Sequence, residues 1–192
     1  MKYSKEWFNE EEIKKLFSSP KITTRDLLLM KVLYYGAFRI MEVLNSCKED
    51  YRSDTYAYLL LRNQKTDKNN WETQPIPEII YGDVIRYCQD NNIKTQDYVF
   101  QSNRKRRLSY VTVYIMVKKY CKKIGITKEI TTHSFRRSRA THLLNRDVSI
   151  YTVSKLLRHK DISITQTYLK LSKKRLADEI AKVDNELLFS DI

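Results

Sequence analysis

The sequence predicts a mainly α-helical fold that carries one small antiparallel β-sheet, an α+β architecture. Glycine and proline number only three each in 192 residues, so few turns are marked by them and helices are favoured. Strand-forming residues are concentrated in Thr55–Leu61, and they return at Trp71–Ile76 after a polar turn. A chain of this length fits one domain whose core needs no disulfide or metal.

The N-terminal part of the chain is predicted to be helical. We expect residues 1–8 to form an arm and Asn9 to cap a helix over 10–17, because three glutamates follow at the positive end of the helix dipole. The next segment, 24–35, is apolar nearly all round, which is typical of a buried helix. A glycine ends it, and a shorter helix is expected over 39–46.

The middle of the chain is predicted to form two or three strands, with a basic, polar turn at 64–70. The segment 98–100 is expected to be a short extended piece. Ser109, Thr132 and Ser149 have the side chains that cap helices and are assigned to that position. The predicted elements of this half are helices over 77–87, 110–124, 133–144 and 149–157, a helix or turn over 161–170, and a last amphipathic helix over 172–186.

The charge of the chain favours an acidic partner. The formal net charge is +13 and the isoelectric point is near 9.6, values typical of nucleic-acid-binding proteins, although a solvated basic surface would give the same numbers. Two cationic segments are the best candidates for contacts with a DNA backbone. They are the loop of Arg104, Lys105, Arg106 and Arg107, and a helix face with Lys118, Lys119, Lys122 and Lys123.

Several classes of protein are poorly supported by the sequence. The three cysteines are odd in number and lack C-x-x-C spacing, which indicates reduced thiols and no structural zinc site. No signal peptide and no apolar run of about 18 residues is present, so a cytoplasmic location without membrane contact is expected. The G-x-x-x-x-G-K-[ST] and H-E-x-x-H motifs are absent, and no carboxylate cluster suggests a two-metal centre. We therefore expect no metal or nucleotide cofactor.

Arginine, lysine, histidine and tyrosine remain as the residues that could perform chemistry. Together they can hold a phosphodiester, neutralise its developing charge and attack it covalently without a metal. Five short motifs contain them. They are G-x-x-R-x-x-E at 36–42, Lys65 in the polar turn, H-x-x-R at 133–136, L-L-R-H at 156–159, and Tyr168, nine positions after His159.

This ordered set resembles the catalytic pattern of the tyrosine recombinase (phage integrase) family, Arg…Lys…His-x-x-Arg…His/Trp…Tyr, and the likeness covers roughly residues 9–171. The resemblance implies the fold of a DNA breaking–rejoining catalytic domain. It also implies that Arg39 and Arg136 clamp the scissile phosphate, which suits the planar guanidinium. Glu42 would orient Arg39, and Lys65, with Lys68 as the alternative, would protonate the leaving 5′-oxygen.

The resemblance assigns the covalent step to Tyr168. A phenol has an ordinary pKa near 10, so nearby cations are needed to favour its ionised form. His133 would accept or relay the tyrosine proton, and His159 would hydrogen-bond to a non-bridging phosphate oxygen. The family commonly has glycine where this chain has Arg158. This departure either changes the geometry of the loop or adds another DNA contact.

The implied activity is that of a site-specific DNA recombinase or integrase that cuts and rejoins strands through a 3′-phosphotyrosyl intermediate without ATP. The implied partner is double-stranded DNA carrying recombination sites, bound by a homotetramer, with a monomer possible for the isolated domain. Two alternatives stay open: a non-catalytic DNA-binding module of the same fold, and relaxation of DNA as by a type IB topoisomerase.

We expect residues 1–192 to form a single catalytic domain without the N-terminal core-binding domain of the family. The chain would then be the catalytic half of a longer recombinase or a short natural form. The C-terminal segment 172–192 would either dock on a neighbouring subunit or fold back on its own domain.

Overall fold

The computed structural model describes residues 6–62, 71–168 and 180–181, and in these ranges the chain has the predicted α+β fold. The helices of these ranges are α1 (Glu10–Phe17), α2 (Thr24–Tyr35), α3 (Ile40–Leu44), α4 (Glu78–Asp90), α5 (Tyr110–Lys123), α6 (Thr132–Leu144), α7 (Ile150–Leu157) and α8 (Ser163–Gln166), and a 3₁₀ turn is formed at Lys48–Asp50. Of the helix predicted over 172–186, only residues 180 and 181 are described, and both are helical.

Three antiparallel strands form the sheet in the order β1 (Tyr51–Ser53), β2 (Ala57–Arg62) and β3 (Trp71–Pro75). Leu59 of the central strand lies opposite Tyr51 on one side and Gln74 on the other. Residues that lie directly opposite share one face of a sheet. Because Leu59 is fully buried, this register places Gln74 on the core face, where it is 2% exposed.

Side-chain caps explain where several helices begin. The side chains of Asn9, Ser109 and Ser149 each accept a hydrogen bond from the backbone N–H three positions later, at 2.8, 3.0 and 3.1 Å, as predicted. The prediction that Thr132 caps α6 is wrong by one position, because Thr131 is the capping residue and Thr132 is already helical. Two adjacent threonines are equivalent in a local sequence pattern, so the sequence could not separate them.

The described part of the predicted N-terminal arm is packed on the domain, so this prediction was wrong for residues 6–8. Phe8 is fully buried, and its ring lies 4.9 Å from that of Phe135 on α6, centroid to centroid. The Phe8 N–H donates to the Ser138 hydroxyl at 2.8 Å. Burial of a phenylalanine contributes about 1.5–3 kcal/mol, which is enough to hold a short segment against α6.

The buried apolar side chains form two clusters. The larger one, here called the main core, combines residues of α1, α2, α4, α5 and the sheet with Phe38 and Phe135. The smaller one, here called the minor cluster, contains Ala37, Ala140, Leu144, Val153 and Leu157. Helix α6 lies between the two clusters, since it contributes Phe135 to the main core and Ala140 to the minor cluster.

Candidate active site

A tight turn after α2 sets the position of Arg39. A Cβ at Gly36 would lie 1.9 Å from the ring of Phe38, so only glycine permits this packing. Ala37 adopts the left-handed conformation, with φ 49°, which is unfavourable for a residue with a side chain. Because Ala37 belongs to the minor cluster and Phe38 to the main core, the turn is fixed from both sides.

Glu42 holds Arg39 through both of its carboxylate oxygens. Oε2 accepts the Arg39 backbone N–H at 2.7 Å, and Oε1 accepts a guanidinium N–H at 3.0 Å. Burial alone would raise the pKa of Glu42, but the charge of Arg158 and the hydrogen bonds from Arg158 and Arg39 outweigh it and lower the pKa. The Arg39 side chain is 51% exposed, so it is held on one side and open to a ligand on the other.

Arg136 is almost completely buried, at 1% exposure, next to Arg39. One guanidinium nitrogen donates to the Ala37 carbonyl at 2.6 Å, and the other terminal nitrogen donates to the Leu157 carbonyl. Burial and, secondarily, the charge of Arg39 lower the pKa of Arg136 to about 10, so it stays charged at neutral pH. Arg136 therefore connects the segment that precedes Arg39 with the segment that precedes His159.

His133 lies one helical turn before Arg136, near the start of α6, and its side chain is exposed at the surface of the site. Partial desolvation of the ring lowers the pKa of His133 to about 4, with further contributions from the charges of Arg136, Arg137 and Arg39. The imidazole is consequently neutral at pH 7. A neutral imidazole can accept a proton, which is the chemistry expected of a general base.

His159 and Tyr168 lie side by side, and Tyr168 is the last residue of the described range 71–168. Their rings are stacked, with centroids 6.4 Å apart and planes at 20°. Thr165 connects them, because its hydroxyl hydrogen-bonds to His159 Nδ1 at 2.9 Å and its carbonyl accepts the Tyr168 N–H at 3.0 Å. The guanidinium of Arg137 lies 5.6 Å from the centroid of the Tyr168 ring, so this tyrosine is in contact with a cation.

The structure brings the separate sequence motifs together. Burial and the charges of Arg136 and Arg39 lower the pKa of His159. The phenol of Tyr168 is close enough to Arg136 to raise the pKa of the guanidinium, against the larger lowering by burial and Arg39. Burial lowers the pKa of His133, and the charges of Arg39 and His159 add to that lowering. Four predicted site residues, Arg39, His133, Arg136 and His159, thus lie in one cluster with a fifth, the half-buried Tyr168.

Arg158 takes the left-handed conformation, with φ 50° and ψ 45°, which is favoured by glycine, the residue that the resemblance predicts here. Its side chain is only 8% exposed. The guanidinium donates to Glu42 at 2.6 Å and to Gln74 at 3.1 Å, and its Nε lies 3.7 Å from a Glu72 oxygen. Since all three nitrogens lie next to protein acceptors, this placement argues against the predicted contact of Arg158 with DNA.

The cationic loop before α5 is attached to α3. Arg104, Lys105 and Arg106 are exposed in a turn where Lys105 has φ 55°. Arg107 is different, because its guanidinium donates to the side-chain oxygen of Asn45 at the end of α3. The loop therefore lies near α3, the helix that follows Arg39. Its role as a DNA contact stays a prediction.

The cationic face of α5 is exposed at Lys118, Lys119, Lys122 and Lys123. Lys118 Nζ lies 4.8 Å from the centroid of the Tyr114 ring. Lysine stems commonly lie along such rings while the ammonium group stays in water. This face is available to a polyanion, and contact with DNA again stays a prediction.

Sequence reasoning missed Gln74, Arg137 and Thr165, which contact the site. Gln74 gave a weak signal, because it alternates with the buried Ile76 and therefore belongs to the inner face of its strand. Arg137 gave none beyond its place directly after Arg136.

The expected general acid, Lys65, and its alternative, Lys68, lie outside the described residues. Within those that are described, no group of three or more histidine, cysteine or acidic side chains could hold a metal ion. No helix of the described part of the chain is long and apolar enough to cross a bilayer.

Comparison with known proteins gives a consistent result. The family model described as phage integrase family matches residues 6–175. Tyrosine recombinase XerA of Pyrococcus horikoshii is 35% identical over 176 residues, which cover 90% of this chain and 59% of that protein. Tyrosine recombinase XerD of Listeria monocytogenes is 29% identical over 180 residues, covering 88% of this chain and 59% of that protein. The chain thus spans about three fifths of the length of these relatives.

Solved structures agree on the fold. The crystal structure of XerA recombinase matches with a TM-score of 0.78 and 25% identity, over 94% of this chain and 65% of that one. XerH site-specific recombinase bound to difH substrate matches with a TM-score of 0.74 and 19% identity, over 91% of this chain and 53% of that one. A lambda integrase dimer bound to a COC′ core site matches with a TM-score of 0.67 and 18% identity, over 88% of this chain and 60% of that one.

Proposed function

The chain belongs to the phage integrase family, and on that basis we propose that it is the catalytic domain of a site-specific recombinase that cuts and rejoins DNA through Tyr168. One observation carries the proposal. Tyr168 is stacked on His159 beside Arg137 and the buried Arg136, so a phenol lies within a cluster of phosphate-binding side chains.

The proposed step is an in-line attack on a phosphodiester. The Tyr168 oxygen forms a bond to phosphorus, the bond to the 5′-oxygen breaks, and a 3′-phosphotyrosyl linkage results. The phenolic proton passes to neutral His133, and Lys65 gives a proton to the leaving 5′-oxygen. In the reverse direction a 5′-hydroxyl attacks the linkage and releases the tyrosine, so the energy of the original bond is kept and no ATP is consumed.

Charge stabilisation is assigned to the two arginines and His159. The fork of Arg39 is half exposed and can bind two phosphate oxygens, while Arg136 is fixed by two carbonyls before the substrate arrives. A preorganised donor of this kind contributes about 3–4 kcal/mol to the transition state. His159 is held by Thr165 and would add one hydrogen bond.

The proposed partner is double-stranded DNA with recombination sites. The exposed loop at Arg104, Lys105 and Arg106 and the α5 face at Lys118–Lys123 would contact its backbone, which accords with the +13 charge. We propose assembly as a homotetramer on two sites, as the family resemblance implies. We also propose that residues 1–192 form a single catalytic domain and that the protein acts in the cytoplasm. The segment 172–192 is proposed to dock on a neighbouring subunit.

Covalent capture tests the proposed function. The chain is incubated with nicked duplexes whose sequence is randomised around the nick, so that cleavage releases a short oligonucleotide and rejoining is prevented. Protein–DNA adducts are separated under denaturing conditions and their DNA is sequenced. We expect an adduct with the DNA joined through its 3′ end, so the released fragment should carry a free 5′-hydroxyl that a kinase can label.

Two tyrosine variants make the assignment specific. Tyr168→Phe should form no adduct, whereas Tyr151→Phe should behave as the wild type, because Tyr151 is 63% exposed on α7 and contacts Lys155 instead. Binding without any wild-type adduct would favour the non-catalytic module. Relaxation of plasmids that lack a captured site would favour the topoisomerase-like alternative.

A further inference from the structure

A buried glutamine connects the two segments that carry the phosphate-binding residues. The Gln74 amide nitrogen donates to the Gly36 carbonyl at 2.9 Å and to the Leu156 carbonyl at 2.7 Å. Gly36 is three residues before Arg39, and Leu156 is three residues before His159. One side chain on β3 therefore contacts both loops at once.

The orientation of this amide is determined by its neighbours. Two carbonyl oxygens can only accept, so the NH₂ group of Gln74 must face Gly36 and Leu156. The amide oxygen is left for the Arg158 guanidinium, which donates to it at 3.1 Å. With 2% of the residue exposed, water cannot easily replace these contacts.

Arg158 completes the connection through Glu42. Its terminal nitrogen donates to Glu42 Oε1 at 2.6 Å, the same oxygen that accepts from Arg39 at 3.0 Å. Arg158 is thus linked to Arg39 through one carboxylate, to β3 through Gln74, and to His159 as its neighbour in the chain.

The backbone of Arg158 indicates that these contacts are strong enough to hold an unfavourable conformation. A left-handed residue with a side chain is disfavoured relative to glycine. Arg158 nevertheless has φ 50°, and its guanidinium is nearly buried between Glu42 and Gln74. Glycine at this position would adopt the same backbone without strain and would lack the connection.

We propose that Gln74 and Arg158 are positioning residues that fix the Arg39 loop and the His159 loop relative to each other, with β3 as their common anchor. They touch no reacting atom. They act by holding Arg39 and His159 at the separation that a single phosphate requires. This inference rests on the proposed DNA cleavage and extends it to two residues outside the predicted catalytic set.

The test uses a nicked duplex whose sequence has been identified by the covalent capture described above. Its cleavage is measured under single-turnover conditions at a series of DNA concentrations. Arg158→Gly removes both the connection and the backbone strain, so it should remain folded with an unchanged melting temperature. We expect the maximal cleavage rate to fall by roughly 100-fold, because a misplacement of about 1 Å has an effect of that size. The DNA concentration for half-maximal rate should stay within about 2-fold of wild type, since neither residue is proposed to touch DNA.

Further variants separate positioning from general destabilisation. Arg158→Lys can still pair with Glu42, so it should recover part of the lost rate. Gln74→Leu should lower the maximal rate as Arg158→Gly does, and the double variant should be little worse than either single one if the pair acts as a unit. Asn92→Gly is the matched control, because Asn92 is also left-handed, with φ 53°, at an exposed position after α4.

The outcomes distinguish the two proposals. No adduct with the wild-type chain would overturn the proposed cleavage. Normal wild-type cleavage with Arg158→Gly and Gln74→Leu within about 3-fold of it would overturn the positioning role alone. A fall in rate matched by a fall in melting temperature in every variant, or a shift only in the half-maximal DNA concentration, would also count against it.

Discussion

The two sides of the candidate site rest on packing of very different extent. Arg39 follows Phe38, and His133 lies just before Phe135, so both belong to segments that are anchored in the main core. His159 and Tyr168 are supported by the minor cluster, in which five buried side chains are found within the described residues. Regions with few buried apolar contacts open at a lower free energy. We infer that the side with Arg39 and His133 is preformed and that the segment around Tyr168, which follows the connected His159 loop, moves more easily.

This division suits a reaction in which the phosphate is held while Tyr168 moves towards it to attack, and withdraws after a 5′-hydroxyl has released it from the phosphate. Arg136, like Gln74, contacts both sides. Its two carbonyl partners come from the turn before Arg39 and from the end of α7. The predictions below change one side at a time, or the residue that joins them.

The largest effects are expected at the two arginines. Arg136→Ala and Arg39→Ala should each lower the single-turnover cleavage rate by roughly 100- to 1,000-fold, because each removes a preorganised donor to the developing charge. Their effects on stability should differ. Loss of Arg136 leaves two carbonyls without their donor and should lower the free energy of unfolding by about 1–3 kcal/mol, whereas loss of the half-exposed Arg39 should change it by less than about 1 kcal/mol.

Urea denaturation beside the cleavage assay checks this prediction. Arg136→Lys is the useful companion variant, because a lysine keeps the charge but cannot reproduce the planar guanidinium that reaches both carbonyls. Arg136→Lys should therefore cleave DNA as slowly as Arg136→Ala. Equal destabilisation by Arg39→Ala and Arg136→Ala would contradict the idea that Arg136, unlike Arg39, joins the two sides.

An intermediate effect is expected from cavities in the two clusters. Leu157→Ala in the minor cluster and Leu29→Ala in the main core both truncate fully buried side chains, and such changes lower the free energy of unfolding by about 2–5 kcal/mol. Only Leu157→Ala should also slow cleavage by the folded protein, by roughly 10-fold or more, because displacement of the segment before His159 changes the geometry of the site.

The cleavage rate should be measured under conditions where both variants are fully folded by circular dichroism. Leu29→Ala is the matched control, since the same atoms are removed from a site away from the minor cluster. A similar rate for both variants would show that the tyrosine side does not depend on its small cluster.

Much of this arrangement could be predicted from the sequence, because motif order and spacing reflect local structure. The fold class was confirmed, and the cap positions at Asn9, Ser109 and Ser149 were correct, since capping depends on residues within one turn.

Long-range contacts could not be predicted in the same way. Gln74 contacts residues 38 and 82 positions away, and Phe8 is held by a hydroxyl 130 positions away. Arg158 was expected either to change the geometry of its loop or to add a DNA contact, and its ion pair with Glu42 depends on tertiary packing that no local pattern encodes. The motifs found in the sequence therefore lie together in the structure, while the groups that hold them in place, apart from Glu42, were missed.

The pKa of His133 makes a prediction for stability in acid. Its folded value is lowered to about 4 by desolvation and neighbouring arginines, below the ordinary 6.5. Between these values the unfolded chain binds more protons than the folded one, so the folded state loses stability as pH falls from about 6.5 to 4. His159 shifts in the same direction through burial and the charges of Arg136 and Arg39. The loss should be smaller in His133→Asn, which cannot titrate in this range.

The smallest effect is expected for the pH dependence of cleavage itself. Because His133 stays neutral down to a pKa of about 4, it can accept the tyrosine proton throughout the range in which an ordinary histidine would become charged. The cleavage rate at low DNA concentration reports the ionisations of the free protein. It should therefore change by less than about 2-fold between pH 7.5 and about 5.5. A decline centred near pH 6.5 would mean that His133 is protonated there, and that the cationic side of the site does not keep it neutral.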